Sequence, residues 1–308
     1  MKRQDQFRIF YNHTIHPELM RLERLRLRLL GLIVLSALVL GGLFVVEAFI
    51  GEMVVMLWFA IPITLYIAYL TFRVRRFVQT FKPRIMNLVL DFIDDAPNLG
   101  ELKYDANRDI PKDLFLQSKL FATSAPVYSG EDSIWGKVGE MDFHLCELKV
   151  QELSPVRSGL DLVFKGIFLH AAFPEDTHGR VIIWPRKHRQ FLTREVKAFT
   201  WEGGENADKE ILNEAFKEIF MTYATKTTHV TGILSEPMQE AIVRYHRLTG
   251  KDFYLSFAEQ DIFVAVTEPR DMLEPYLFQS NVSFELVRGY AEDIQLLLGI
   301  VEDFDKTH

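Results

Sequence analysis

The sequence predicts an α+β protein: an N-terminal transmembrane helical hairpin followed by a cytosolic domain with a mostly antiparallel sheet and packed helices. Three observations predict it. Two long apolar segments lie only two residues apart near the start of the chain. Short strand-like runs with hairpin turns recur through the remainder. Amphipathic helical stretches stand between and after them without strict βαβ alternation. The implied boundaries are 1–28 for a basic amphipathic helix, 29–70 for the hairpin and 71–308 for the cytosolic domain.

The first span is Leu29 to Ile50, with Glu47 its one charged residue; the second is Met53 to Leu70, with none. Each approaches the roughly 20 residues that cross a hydrocarbon core of about 30 Å. Only Gly51 and Glu52 separate them, so the turn must be tight. A core hairpin of a soluble protein would show polar faces, and a signal peptide a shorter apolar run with a cleavage site. Arg21, Arg24, Arg26 and Arg28 precede the first span, and Arg73, Arg75, Arg76, Lys82 and Arg84 follow the second. The positive-inside rule then places both termini in the cytosol and Glu47 and Glu52 near the outer surface. An acid within a membrane can mark a transport path, but Glu47 is close enough to the interface to reach water. Gly41, Gly42 and Ser36 offer surfaces for close helix packing, within the hairpin or between copies. Pro62 is a candidate kink.

Charge divides the chain. Residues 1–76 hold ten Lys/Arg against five acids, whereas the remainder holds twenty-five against thirty-seven, for a net charge of -7 overall. So acidic a domain excludes nucleic acid as a partner, because that partner needs its phosphates neutralised. The basic stretches flank the apolar spans, where anionic headgroups attract them. Cys146 is the single cysteine, which fits a reducing compartment.

Before the first span, residues 12–28 predict a helix with Pro17 in its first turn, running into the first span along the membrane surface. His13 and His16 in it read as exposed, with no third ligand nearby. Phe77, Phe81, Ile85, Leu88, Val89 and Phe92 recur at helical spacing, and Leu114–Phe121 is a second helical piece. Ser133–Val138 and Met141–Leu153 read as strands around a Gly139-Glu140 turn. Leu160–Phe173 is a long strand and Gly179–Trp184 a short one. Thr200–Asp208 is a polar, Gly-containing loop, the one candidate internal break. Glu214–Thr222 is a helical turn or a strand. Pro237–Leu248 is a helix, Asp252–Phe257 and Asp261–Val266 form a hairpin, and Val282–Phe304 is an amphipathic helix.

Signature motifs of nucleotide binding, zinc hydrolysis and serine hydrolysis are absent from the sequence. His144 and Cys146 share one strand face, as a nucleophile with its base, as metal ligands, or as an incidental pair with the thiol in the core. Arg186, Lys187 and Arg189 form a basic cluster for an anion, a lipid headgroup or an acidic partner, or simply a solvated loop. Asp176 and His178 add a polar loop without a convergent triad. Gly130-Glu131-Asp132-Ser133 provides too few ligands for a calcium shell and reads as an Asx-type turn. No cofactor and no metal is called for.

Several stretches carry a resemblance in order and spacing. Leu102-Lys103-Tyr104, Phe115, Ser118-Lys119-Leu120-Phe121 and Tyr128 through Gly139 come first. FKGIFLHAAF at 164–173, FKEIFMTYAT at 216–225, GILSEPM at 232–238 and PELMRLERLR at 17–26 complete it. Together they resemble a bacterial membrane-protein family known as domain of unknown function three-one-three-seven, sometimes labelled "galanin". The resemblance implies two transmembrane helices and a cytosolic α+β domain, supplies no catalytic residues, and implies a LemA-type membrane protein as a partner. The acidic stretch 200–212 departs from the family pattern.

Three functions are compatible with this sequence. The leading one is a membrane-anchored interaction or assembly protein of the bacterial inner membrane, on the lipid bilayer, as a homo-oligomer or with a membrane-protein partner. The others are an enzyme built on His144, Cys146, His170 and His178, and a lipid- or anion-sensing domain acting through Arg186, Lys187 and Arg189.

Overall fold

A computed structural model describes residues 3–51, 53–96, 98–154, 156–172, 179–226, 228–269 and 274–307. The chain divides into two compact units, Met1–Val89 with Leu273–Arg288, and Leu90–Met272 with Gly289–His308.

The first unit is helical. Helix α1 (Arg3–Phe10) passes through a π turn at Tyr11–Ile15 into α2 (His16–Ile50), and α3 (Met53–Asp94) follows. Gly51 ends α2 in the left-handed region (φ 71°), and its N–H reaches the Glu47 carbonyl at 2.7 Å. A side chain is strained there, which is why glycine closes so short a connection. Glu52 lies outside the described residues. Two helices here are long and apolar enough to cross a membrane, with mean hydropathy 2.8 and 1.5, and only 11% and 6% of those stretches are buried. A core helix of a soluble protein would be mostly buried. Leu38, Phe49, Trp58 and Leu65 are among the exposed apolar side chains.

Residues 16–28 run into the first apolar stretch as one helix, as the sequence predicts. Phe7, Tyr11, Ile15, Leu19 and Leu22 are buried. Likewise, α3 runs on through Pro83 to Asp94, because Phe77, Phe81, Ile85, Met86 and Val89 are buried at helical spacing. His13 is exposed, as read, while His16 is half-buried beside the Tyr11 ring, 5.8 Å away.

The second unit is built on β1 (Leu99–Asp105), β2 (Val127–Val138), β3 (Met141–Leu153), β4 (Leu160–Ala172), β5 (Arg180–Pro185), β6 (Gly204–Asn206), β7 (Phe220–Thr225), β8 (Phe253–Ala258) and β9 (Asp261–Thr267). Among the described residues they make one antiparallel sheet of order β1-β2-β3-β4-β9-β8-β5-β7-β6. Helices α4 (Lys112–Gln117), α5 (Thr193–Trp201), α6 (Glu214–Ile219), α7 (Val230–Ile233), α8 (Glu236–Thr249) and α9 (Phe284–Thr307) complete the chain. The α+β fold class is as the sequence predicts.

The central strands are buried on both faces. β8 is buried at every position, and Val181, Ile182, Ile183 and Trp184 of β5 are fully buried. On one face Phe115, Phe121, Phe164, Phe168 and Trp184 form the core, and the Trp184 Nε1–H donates to the Leu120 carbonyl at 2.9 Å. On the other, Phe220 packs on Phe253 and on His246 of α8. Tyr245 of α8 donates to Asp293 of α9 at 2.8 Å. Gly166, in the Phe-x-Gly-x-Phe segment of β4, has φ 153°, and a Cβ there would stand 2.0 Å from the Val266 carbonyl oxygen of β9. The close approach of β4 to β9 therefore demands glycine.

Two sequence readings need correction. Thr200–Asp208 is not a break: it holds the end of α5 and β6, whose Gly204 and Asn206 pair with Thr225 and Tyr223 of β7. Glu214–Thr222 is neither helix nor strand alone, but α6 turning directly into β7, with the Asn213 side chain accepting from the Phe216 N–H at 3.0 Å as its cap.

Candidate functional site

The basic cluster sits in a single helical turn, Arg186–His188, that follows β5. Pro185 ends the strand and cannot donate to a further ladder bond. Arg186 points inward: its guanidinium donates to Asp208 Oδ2 at 2.7 Å and to the Lys217 and Phe220 carbonyls at 2.7 and 2.8 Å. It fastens the turn to β7 and to the Asp208–Glu210 turn. Lys187 and His188 both reach Asp252, each at 2.6 Å. Arg189 is exposed. Arg186 and the Asp252 pairs hold the loop in place, while the Lys187 and Arg189 side chains stand at the surface.

The histidines come together. His144 of β3 and His170 of β4 are direct cross-strand partners, with Cys146 on the same face one pair along. His144 Nε2 lies 3.1 Å from Ser133 Oγ, and that hydroxyl donates to the Arg108 carbonyl at 2.6 Å. With its proton so committed, Ser133 accepts from the imidazole, so His144 carries its proton on Nε2 and is no base toward this serine. Burial, Arg108 and His170 hold the His144 pKa down, at about 4. His170 Nε2 meets Asp261 Oδ1 at 2.6 Å, and Gln117 donates to the other carboxylate oxygen at 2.9 Å. Cys146 is fully buried, and burial pushes its thiol pKa well up, which suits a core residue and not a nucleophile. Asp176 and His178 lie outside the described residues. Ser133–His144 and His170–Asp261 are thus two hydrogen-bonded pairs side by side on neighbouring strands, in which each histidine is oriented by its partner and neither faces an activatable hydroxyl or thiol.

The Gly130–Ser133 segment is not a turn. It lies inside β2 at a bulge, where the register shifts between Glu131 and Ile134. Asp132 takes a left-handed backbone (φ 59°) and accepts from the Tyr104 hydroxyl at 2.5 Å. The bulge brings Glu131, Asp132 and the cross-strand Glu147 to within 4.8 Å of one another, the last two buried. Glu147 was not legible in the sequence beside the other two, since only strand register places it there. A cavity of about 180 Å³ adjoins them, lined also by Lys149 and Lys165. Lys165 is held there by the Pro269 carbonyl at 3.0 Å, and Lys149 is exposed.

One surface stands apart. At the tip of the β3–β4 hairpin Leu153 is 74% exposed and Val156 92%, and Leu160 and Leu162 are exposed beside them. Leu153 and Leu160 are cross-strand partners, so the apolar groups form one patch. Sequence reasoning passed over it; the signal was present as leucines flanking the polar turn Ser154–Gly159, where a solvated hairpin end carries polar residues.

Residues 162–306 match the family model described as "Protein of unknown function (DUF3137)". The resemblance read from the sequence holds over that stretch. No curated protein matches the chain. Among solved structures it is similar to the mycobacterial trehalose monomycolate transport factor A, TtfA, at 10% identity and a TM-score of 0.32, over 63% of this chain and 88% of that one. A likeness of that degree carries no argument about function.

Proposed function

We propose that this chain is a membrane-anchored interaction protein, held in the bacterial inner membrane by two spans, with both termini and the sheet domain in the cytosol. The observation that carries the interaction reading is the exposed apolar hairpin tip, Leu153, Val156, Leu160 and Leu162. Exposed clustered apolar side chains mark a surface that another molecule covers. The anchor rests on the two long apolar helices and on the arginines at their inner ends. The partner is a second copy of this chain or a membrane protein of the LemA type that the family resemblance implies.

The test is site-specific photocrosslinking in cells, with a photoreactive residue at Val156 of the full chain. A discrete adduct is expected, its mass separating a dimer from a foreign partner, and Leu153→Glu should abolish it. A tip no more reactive than the exposed Lys137 overturns the interaction reading. Orientation is checked separately: cysteines at Arg24 and Lys137 should resist an impermeant thiol reagent in intact spheroplasts and react once these are opened.

The other readings have less support. Ser133 has given its proton to a carbonyl and Cys146 is sealed in the core, while Arg186 and Lys187 spend their charge on Asp208 and Asp252.

A further inference from the structure

The first unit contains, besides its helices, a loop contributed by the far end of the chain. Residues 274–283 read EPYLFQSNVS. Three contacts fix this loop to the helices. Lys82 of α3 pairs with Glu274 at 3.1 Å. Arg26 of α2 donates to the Leu277 carbonyl. The Asn281 N–H reaches Glu23 Oε2 at 3.4 Å, and Asn281 closes the loop on itself through the Tyr276 N–H and carbonyl at 2.7 and 2.9 Å.

The heights of these contacts along the helices define the loop's path. Glu18 of α2 bridges to Arg84 of α3 at 2.5 Å, which sets the two helices level there. Lys82 is two residues nearer the apolar stretch than Arg84, a rise of about 3 Å. Arg26 is eight residues nearer it than Glu18, about 12 Å. The loop therefore leaves Glu274 low, climbs to Leu277 at Arg26, and descends to Asn281 at Glu23. Its apex is Leu277–Gln279, on the side toward the apolar segments. At that apex Phe278 is 87% exposed, with Tyr276 47% exposed beside it.

Arg26 stands three residues, about 4.5 Å, before Leu29, where the first apolar run begins. The headgroup layer is about 5–8 Å deep on each side of the hydrocarbon core. The Arg26 guanidinium reaches back to Glu23 at 2.6 Å, so the apex it grips lies at the outer edge of that layer, with the layer within reach of the exposed Phe278 side chain. Aromatic side chains favour the layer, since their rings pack among the upper acyl segments. The exposed Arg24 and Arg28 supply positive charge for phosphate at the same depth.

We infer that the 275–280 loop is a membrane-interface anchor, with Phe278 inserted at the headgroup boundary of the leaflet that α2 enters. This rests on the reading of α2 and α3 as spans. It gives the C-terminal part of the chain its own contact with lipid, at a depth the two helices set.

The experiment uses the full chain in liposomes with Cys146→Ala and one new cysteine carrying an environment-sensitive fluorophore: Phe278→Cys, Leu38→Cys within the first span, or Phe191→Cys on an exposed site of the sheet domain. Phospholipids with a nitroxide high or low on the acyl chain act as quenchers. Leu38→Cys should be quenched best by the deep nitroxide. Phe278→Cys should be quenched several-fold more by the shallow one than by the deep one, and Phe191→Cys by neither. A Phe278→Cys probe as unquenched as Phe191→Cys, while Leu38→Cys is quenched, overturns the anchor and leaves the spans standing. If Leu38→Cys is also unquenched, the spans themselves fall. A Phe278→Cys probe shielded from aqueous iodide yet untouched by either nitroxide is covered by protein, which also overturns the proposal.

Discussion

The two units solve the burial problem in opposite ways. The sheet unit hides its apolar groups and leaves most of its charge outside. The helical unit leaves apolar side chains such as Leu38 and Phe49 exposed along its helices, and buries charge at its base, where Glu23, Arg26 and Lys82 are all less than 10% exposed. There Arg26 holds Glu23 at 2.6 Å, and its hydrogen bonds keep that carboxyl below the usual range against the pull of burial. The proposed membrane reading accounts for the difference: apolar side chains against lipid would need no cover, while the polar base would have to be tied together, because helices have no hydrophobic drive to associate inside a bilayer.

The comparison is sharpest where the sheet unit breaks its own rule. Lys251 pairs with Glu268 at 2.8 Å and Asp293 at 2.6 Å, deep beside Tyr245. Burial disfavours the ammonium, but the two carboxylates outweigh it and raise its pKa; burial likewise raises Asp293 above the usual carboxylate value despite Lys251. Lys251→Met strands two acids in the interior and should cost about 3–5 kcal/mol, as losing one partner of a buried pair does. Denaturant unfolding followed by far-ultraviolet circular dichroism measures it. Arg26→Ala makes the corresponding break in the helical unit, leaving Glu23 buried without its guanidinium. The expected result is new proteolytic cleavage within 275–283 while the sheet unit keeps its unfolding midpoint. A shifted midpoint without cleavage would dissolve the distinction between the two units.

How far each unit was legible follows from the same physics. Central strands announced themselves because they are covered on both faces and so read as unbroken apolar runs, VIIW in β5 and IFVAV in β9. β1 did not: it is half-exposed along its length and carries a register shift between Gly100 and Lys103, which spoils the alternation. α5 was missed because it buries one side chain, Phe199, and a helix with one buried residue has no stripe. The two long apolar helices were plain from length and composition. Of the site residues, His144 and Cys146 could be placed on one face by strand period alone. The pairing of His144 with His170, the third acid Glu147 and the apolar tip depend on register, which local sequence does not specify.

His144 offers a smaller effect, and one that depends on pH. Its folded pKa, about 4, lies below the value of a free histidine. The unfolded chain therefore takes up a proton before the folded one does. Stability is full above about pH 6.5 and falls as pH drops through 4. The side chain is only partly buried, so solvent screening reduces the effect to about 1 kcal/mol. His144→Gln keeps an N–H for Ser133 and removes the titration, and unfolding midpoints between pH 7 and pH 4 should lose that part of their slope.

The smallest effects separate buried from exposed polar contacts within the sheet unit. Ser235 caps α8, accepting from the Met238 N–H at 3.2 Å, and its hydroxyl donates to Asp303 at 2.5 Å. Ser235→Ala removes both and should cost about 1 kcal/mol, the ordinary value of a lost cap. Arg157 and Asp161 form a 2.7 Å pair at the hairpin tip, but Arg157 is 71% exposed. Arg157→Ala should cost roughly 0.5 kcal/mol or less, because water and salt already screen the pair. Its value lies elsewhere. Arg157 stands within the same turn as Val156, so if the tip docks on a partner, Arg157→Ala should change crosslinking at Val156 far more than it changes the unfolding midpoint. Equal, negligible changes in both would leave the tip an ordinary solvated turn.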